Sequence, residues 1–398
     1  MEAIELIELI GRGEDSRTQF KQTVTNTESV AAEIAAFSNT KGGRIIIGVN
    51  DQGTVIGLSA DDIRRINQLV ANAATHNVRP SVNPTTENIS IGDLLVMVVT
   101  VQEGISKPYA DNNGHYWMKA GSDKRKVTAR EEIQRMFQNA GLIHADEVPV
   151  EGTTNSDIDV EHFRDFFKKQ YGQQQFEEAF SDNPDKPGIP LDQLLNNLGL
   201  AHKTTLSLAG LLIFGRRPQL YRPAFTVKAV SFVGNDPAGD KYRDSQDFEG
   251  CLRDLHKKTM SFLARNLRHI QGTKGINTEG DLEVPLPALE ELVVNMLLHR
   301  DYFISAPWRV MIFDNRIELI SPGALPNNLT VANIRSGVSI IRNPLIASFA
   351  TKGGELPYRG IGTGIRRALA AVPALELESD PNRNLFTARI PRKQEIFD

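Results

Sequence analysis

The sequence predicts an α/β protein of more than one domain. Three observations carry that prediction. Helix-period and strand-period apolar patterns alternate along the chain rather than segregating. A length of 398 residues exceeds one ordinary core and suits two to four domains. Hydrophobic residues make up 40% and charged residues 24%, a globular balance that excludes wholesale disorder.

The first segment runs over residues 1–141. It opens with an amphipathic helix through Ile4, Leu6, Ile7, Leu9 and Ile10. Glu28 to Asn39 predicts a second helix, with Val30, Ile34 and Phe37 on one stripe. KGGRIIIGVNDQGTVIGL then reads as a hairpin, with strands Arg44–Val49 and Thr54–Leu58 around a DQG turn. Asp61–Thr75 is helical by pattern, while Leu94–Val101 and His115–Ala120 are strands. Thr128 followed by Glu131 reads as a capping box, opening a helix that ends at Gly141. The result is a mixed-sheet domain.

Residues 142–156 read as a linker, and a middle α/β segment follows over 157–284. It holds helices at Val160–Tyr171 and Pro190–Leu198, a polar loop at Ser181–Pro187, and an apolar run at Leu208–Phe214. A strand at Phe225–Phe232 and a long helix at Phe248–Leu267 complete it. The last segment, 285–398, begins with a helix at Ala288–Leu298. Strands Trp308–Phe313 and Arg316–Ile320 flank a DN turn, SPGALPNN is a loop, and Gly360–Ala371 is glycine-rich and then helical.

Acids number 49 and bases 45, a net charge of -4, so a strongly basic protein is excluded but a local basic patch is not. The single cysteine, Cys251, forbids an intrachain disulfide and a multi-cysteine zinc site, and suits a reducing compartment. Cys251 reads as a small buried hydrophobe. No stretch approaches the roughly 18 apolar residues of a membrane span. The acidic N-terminus does not read as a signal peptide. The expectation is a cytoplasmic protein with no membrane partner.

The densest polar pattern is ELVVNMLLH. It spaces Glu291, Asn295 and His299 four apart, on one face of an otherwise apolar helix. Buried polar groups need partners, so these three should face one another or a ligand. Asn295 offers a hard oxygen to Mg²⁺, and Glu291 can orient or deprotonate a water. Downstream, RGIGTGI sets Gly360, Gly362 and Gly364 ahead of a helix, where backbone N–H groups can approach phosphates.

These residues resemble the GHKL ATPase fold shared by gyrase, histidine kinases and MutL, an α/β sandwich. ELVVN matches its first motif, in which the glutamate activates water and the asparagine binds magnesium. The closer resemblance is to a divergent branch in bacterial predicted transcriptional regulators. There HRDY (299–302), RIELISPG (316–323) and RNP (342–344) recur, and all three stand here. The resemblance implies ATP with Mg²⁺, held through Asn295, His299, Ser321, Gly323, Gly360, Gly362 and Gly364. One departure is that the family at large holds the adenine amine with an Asp, whereas this loop reads ISPGALP with Ser321 near that place. A bland alternative is an ATPase-like domain kept as a scaffold.

GEDSRTQFK, AFSNTKGGRIIIGVNDQGTVIGL and KPYADNNGHYWMKAGSDKRKVTAREEI resemble, in order, the Schlafen AlbA-like (AlbA_2) domain over about residues 10–135. Leu208–Pro223 resembles the connector found between these two domains. Schlafen-like domains bind DNA or RNA, and some cleave it with three carboxylates on a divalent metal. Of the pattern E-x4-E-F-K, Glu14 is present and the second Glu is Gln19; the third carboxylate is Asn50 or Asp51, depending on alignment. Glu14 and Asp51 are thus the ligands left for a nuclease using Mg²⁺ or Mn²⁺, and losing a carboxylate weakens such a site.

Lys21, Arg44, Lys119, Lys124, Arg125 and Lys126 are basic residues within those motifs, and KAGSDKRK crowds four of them beside His115, Tyr116 and Trp117. Cations beside aromatics suit a phosphate backbone and stacked bases. A solvated charged loop is the bland alternative. The leading expectation is a nucleotide-regulated, nucleic-acid-binding regulator that forms a homo-oligomer. Its rivals are a metal-dependent nuclease, in phage defence for example, and an oligomeric scaffold.

Overall fold

A computed structural model describes residues 1–180, 188–270, 280–326, 329–352 and 356–392, with the backbone alone at 177–179. The loop expected at 181–187 and the end of the loop expected at 321–328 lie outside the described residues. The chain forms two compact units, Met1–Ile143 and His144–Asp398. Among the described residues no helix is long and apolar enough to cross a membrane.

The first unit orders its main elements as α1 (Ala3–Gly11), β1 (Thr18–Lys21), α2 (Thr27–Asn39), β2 (Gly43–Ile47), α3 (Ala60–Asn72), β3 (Thr85–Ile91), β4 (Leu94–Val101), β5 (Trp117–Ala120), β6 (Asp123–Lys126) and α4 (Arg130–Asn139). Four strands form a mixed sheet in the order β1-β2-β4-β3, with β1 and β2 parallel and the other pairs antiparallel. Strand alternation sends Ile45, Ile47, Met97 and Val99 to a core with α2 and α3, and Ile46, Val96 and Val98 to a core with Leu6 and Ile10 of α1. Both faces of β2 are therefore buried, which is why GRIII is almost uninterruptedly apolar.

Three local expectations are corrected. Thr54–Leu58 is not a hairpin strand; beyond one bridge between Val49 and Val55, both edges of β2 are already taken by β1 and β4. The last helix starts at Arg130 with Ala129 as N-cap and no side-chain cap, so Thr128 and Glu131 do not form the capping box. Capping boxes stand instead on α1, between Glu2 and Glu5, and on α3, between Ser59 and Asp62. The basic run is half of a hairpin, with Trp117 opposite Lys126 and Lys119 opposite Lys124.

The second unit contains α5 (Val160–Tyr171), α6 (Leu208–Phe214), β7 (Val227–Phe232), β8 (Tyr242–Phe248), α7 (Leu252–Asn266), α8 (Leu286–Leu298), β9 (Trp308–Ile312), β10 (Arg316–Pro322), α9 (Pro344–Lys352), α10 (Gly364–Ala371), β11 (Glu376–Asp380) and β12 (Leu385–Pro391). Its sheet runs β8-β7-β9-β10-β12-β11, with β7 and β9 parallel. One face carries Ala229, Val310, Leu319 and Ala388 into a single core with α7 and α8. The other carries a charged ladder in which Glu318 accepts from Arg316 (2.8 Å) and Arg389 (3.1 Å). The fold is thus a helix-on-sheet α/β sandwich.

The structure draws one boundary where the sequence suggested two. Strand β7 of the expected connector pairs with β9 of the expected last domain, and one core runs through both. A parallel pair needs a long crossover, and the stretch across residue 284 supplies it through α7 and α8.

Candidate functional site

In the second unit, Glu291, Asn295 and His299 share the helix face their spacing sets and line one pocket together. Opposite them stand Gly360, Gly362 and Gly364, and Ser321 and Gly323 line it too. The pocket walls are apolar at Leu292, Met296, Leu325 and Ile365. Its charged lining is three arginines, Arg342, Arg359 and Arg367, against one carboxylate, Glu291. An apolar wall beside a cationic one suits a ligand with a flat apolar part and an anionic part.

Glu291 is 6% exposed, and each of its carboxylate oxygens has a partner. Its Oε2 accepts from Arg367 Nη2 at 2.6 Å, and its Oε1 accepts from Asn295 Nδ2 at 2.9 Å. Asn295 also donates to the Glu291 carbonyl at 2.6 Å. Its amide nitrogen is thereby committed, and Oδ1 is the atom left for a cation. Gly364 meets this carboxylate so closely that a Cβ would fall 1.5 Å from Oε1. His299 is held neutral, with burial and then Arg342 pushing its pKa down to about 4.

Other motif residues build the pocket from behind. Asn343 donates to the carbonyls of Leu298 (2.8 Å) and Arg300 (2.9 Å), satisfying the end of α8. Arg342 donates to the carbonyls of His299 (3.2 Å) and Ala324 (2.7 Å). Gly323 has φ +105°, and a Cβ there would lie 2.5 Å from Arg342 Nη1. Arg300 is fully buried over the rings of Phe225 (4.3 Å) and Trp308 (4.5 Å). HRDY and RNP therefore act as one structural knot. Ser321 Oγ donates to the Met296 carbonyl at 3.1 Å, so its hydroxyl hydrogen ties β10 to α8.

The first residues of this unit join the same knot. His144 Nδ1 lies 3.2 Å from the Arg342 carbonyl, and Asp146 Oδ2 accepts from Ile346 N at 2.9 Å. Asp146 is fully buried, and burial pushes its pKa up to about 6.

In the first unit the sequence-derived residues scatter. Lys119 is corrected as a surface cation: its side chain is 1% exposed. Its Nζ donates to Gln19 Oε1 (2.8 Å), to Glu33 Oε1 (2.9 Å) and to the Ser122 carbonyl. Lys124 pairs with the second Glu33 oxygen at 2.9 Å. Arg125 is bidentate to Glu132. Lys126 is exposed and, among the described residues, has no ion pair. Lys21 and Arg44 sit in adjacent strands on opposite faces of the sheet, since Thr18 pairs with Arg44 and Lys21 with Ile47. Asn39 fixes the hairpin against α2 by donating to the carbonyls of Tyr109 (2.7 Å) and Trp117 (2.9 Å).

Glu14 Oε1 accepts from Gln19 Nε2 and from the Phe20 N–H (2.6 Å). Asp51 is exposed in a turn that Asn50 organises by accepting from Thr54 N at 2.8 Å. Among the described residues no three His, Cys, Asp or Glu side chains gather as a metal-ligand set. Sequence reasoning missed Glu33, which anchors two of the basic residues, and Arg367. Arg367 was within reach: three positions past Gly364 on α10, it shares that glycine's helix face.

Residues 14–128 match the family model described as Schlafen, AlbA_2. Residues 306–384 match the one described as "Putative ATP-dependent DNA helicase recG C-terminal". Among curated proteins nothing matches the chain. Similar solved structures include these two. The DIP2311 protein from Corynebacterium diphtheriae is 19% identical over 98% of this chain and 69% of its own, with a TM-score of 0.44. The N-terminal domain of a RecG-related protein from Nitrosomonas europaea is 22% identical over 33% of this chain and 96% of its own, with a TM-score of 0.23.

Proposed function

We propose that this chain, which carries a Schlafen AlbA_2 domain and a RecG C-terminal-type domain, is a nucleotide-responsive regulator that binds nucleic acid. The observation that carries the reading is the pocket in which Glu291, Asn295 and His299 face the glycine loop and three arginines. Those residues fit ATP with Mg²⁺. Gly362 and Gly364 let the loop close on its own neighbours, since a Cβ would fall 2.6 Å from the Gly337 carbonyl oxygen and 1.5 Å from Glu291 Oε1. Asn295 Oδ1 would hold the cation, Arg359 and Arg367 the phosphates, and Leu292, Met296 and Ile365 the base. A bound Mg²⁺ would neutralise phosphate charge.

Support for coupling comes from His144 and Asp146. They fasten the start of the second unit to RNP, whose Arg342 lines the pocket. Coupling requires that ATP bind two states with different affinity. Nucleic acid is the proposed partner of the first unit, through Lys126 and Lys21 rather than Lys119. A cytoplasmic location and a homo-oligomer belong to the same proposal, on composition and on the resemblance to GHKL proteins.

The test is one gel on the full chain with labelled tRNA, single-stranded DNA and duplex DNA, with Mg²⁺ or Mn²⁺, with and without ATP. Intact but shifted nucleic acid is the expected result, with a shift that depends on ATP in the wild type and not in Asn295→Ala. If Asn295→Ala abolishes ATP binding while nucleic-acid affinity never responds to ATP, coupling is wrong. Metal-dependent cleavage lost in Glu14→Ala would replace the regulator with the nuclease.

A further inference from the structure

We infer that Arg367 is the residue that reads the terminal phosphate of the ligand, and that the Glu291 carboxylate is the resident substitute for that phosphate. The inference rests on the nucleotide reading above and adds to it a latch that a ligand must open.

Three observations point to it. First, Glu291 spends both oxygens, one on Arg367 at 2.6 Å and one on Asn295 at 2.9 Å. The carboxylate is thus already the arginine's anionic partner within the pocket lining. Second, the two partners differ in freedom. The Glu291 side chain is 7% exposed, whereas that of Arg367 is 46% exposed. Arg367 can therefore turn to a ligand while Glu291 stays. Third, the carboxylate lies against Gly364, the first residue of α10, where a Cβ would fall 1.5 Å from Oε1. An anion already sits at the loop-to-helix junction the glycines leave open, with a guanidinium as counter-ion.

A terminal phosphate outcompetes a carboxylate for a guanidinium, because it carries more charge and offers several acceptors to the planar fork. When Arg367 turns to it, Glu291 keeps its bond from Asn295, and its Oε2 no longer has the guanidinium competing with water. A ligand one phosphate shorter leaves the pair closed. Arg367 thus becomes a determinant of triphosphate over diphosphate, and the same movement releases Glu291.

The test is nucleotide affinity by competition with a fluorescent ATP analogue, for ATP and ADP, on the full chain. The variants are Arg367→Met, Arg367→Lys, Glu291→Gln and the Glu291→Gln/Arg367→Met pair, each first checked for an unchanged thermal melt. A lost charge-assisted contact predicts that Arg367→Met weakens ATP about tenfold or more and ADP about twofold or less. Arg367→Lys should fall between. Glu291→Gln should tighten ATP by roughly threefold to tenfold in the wild-type background and far less beside Met at 367, because the competitor matters only when its arginine is present. Equal losses for ATP and ADP, or the same Glu291→Gln effect in both backgrounds, would overturn the latch and leave nucleotide binding standing. No binding by the wild type or by Glu291→Gln would overturn the nucleotide reading itself, and the latch with it.

Discussion

The ammonium of Lys119 lies 2.9 Å from Glu33 Oε1, with the two side chains 1% and 4% exposed. This pair joins the β5–β6 hairpin to α2, and Gln19 and Lys124 complete it. Removing one partner of a buried pair strands the other. Lys119→Met should destabilise the first unit by about 3 kcal/mol, the low end for such a loss, because Glu33 keeps Lys124. Adding Glu33→Gln should cost less than the sum of the single changes. Urea unfolding of the four proteins measures this; near-neutral single variants would mean that the pair does not hold the hairpin.

The same burial separates the basic residues by role. Lys126 is exposed and Lys119 is not, although they sit in one short motif. A lysine on a phosphate contributes about 0.9 to the slope of log affinity against log salt on duplex DNA. Lys126→Ala should lower that slope by about one, whatever the base sequence. Arg125→Ala should lower it less, since Glu132 already holds that guanidinium. Fluorescence anisotropy over a salt series decides, and an unchanged slope for Lys126→Ala would remove it from the interface.

Much of this was legible in the sequence, for local reasons. Helix periodicity placed Glu291, Asn295 and His299 on one face, and glycine spacing placed the opposite wall. Strand β1 was not legible, because TQFK is four residues with a polar face, and only its parallel pairing to GRIII makes it a strand. β3, largely exposed, hid for a similar reason. The Gln19–Lys119–Glu33 contacts bridge residues as far as 100 positions apart, and charge pattern along the chain does not encode them. A basic run looks the same in sequence whether its cations meet solvent or a buried glutamate.

Asp146 gives the first unit's neighbour a pH signature. Burial raises its pKa to about 6 from 3.8, so the folded state binds the proton more tightly than the unfolded chain. Stability from this group is therefore fully present below about pH 4 and falls as pH rises to about 6. Asp146→Asn keeps an oxygen for Ile346 N and removes the titration. Relative to wild type, the variant should gain up to about 3 kcal/mol in going from pH 4 to pH 7.5, whatever its constant offset. Paired thermal melts across that range measure it. A flat difference would mean that Asp146 does not titrate as its burial demands.

Asn343 tests whether RNP is structure or ligand chemistry. It is fully buried and donates to the carbonyls of Leu298 and Arg300, on either side of His299. Asn343→Ala strands two buried acceptors at the end of the helix that carries the pocket's polar face. Each costs about 1–3 kcal/mol, so a loss of roughly 2–6 kcal/mol in urea stability is expected, with an unchanged m-value. A residue that served the ligand alone would give the opposite pattern, with affinity lost and stability kept. A loss under about 0.5 kcal/mol, within the range of ordinary surface changes, would show that the end of α8 finds other donors and that the knot is not what shapes the pocket.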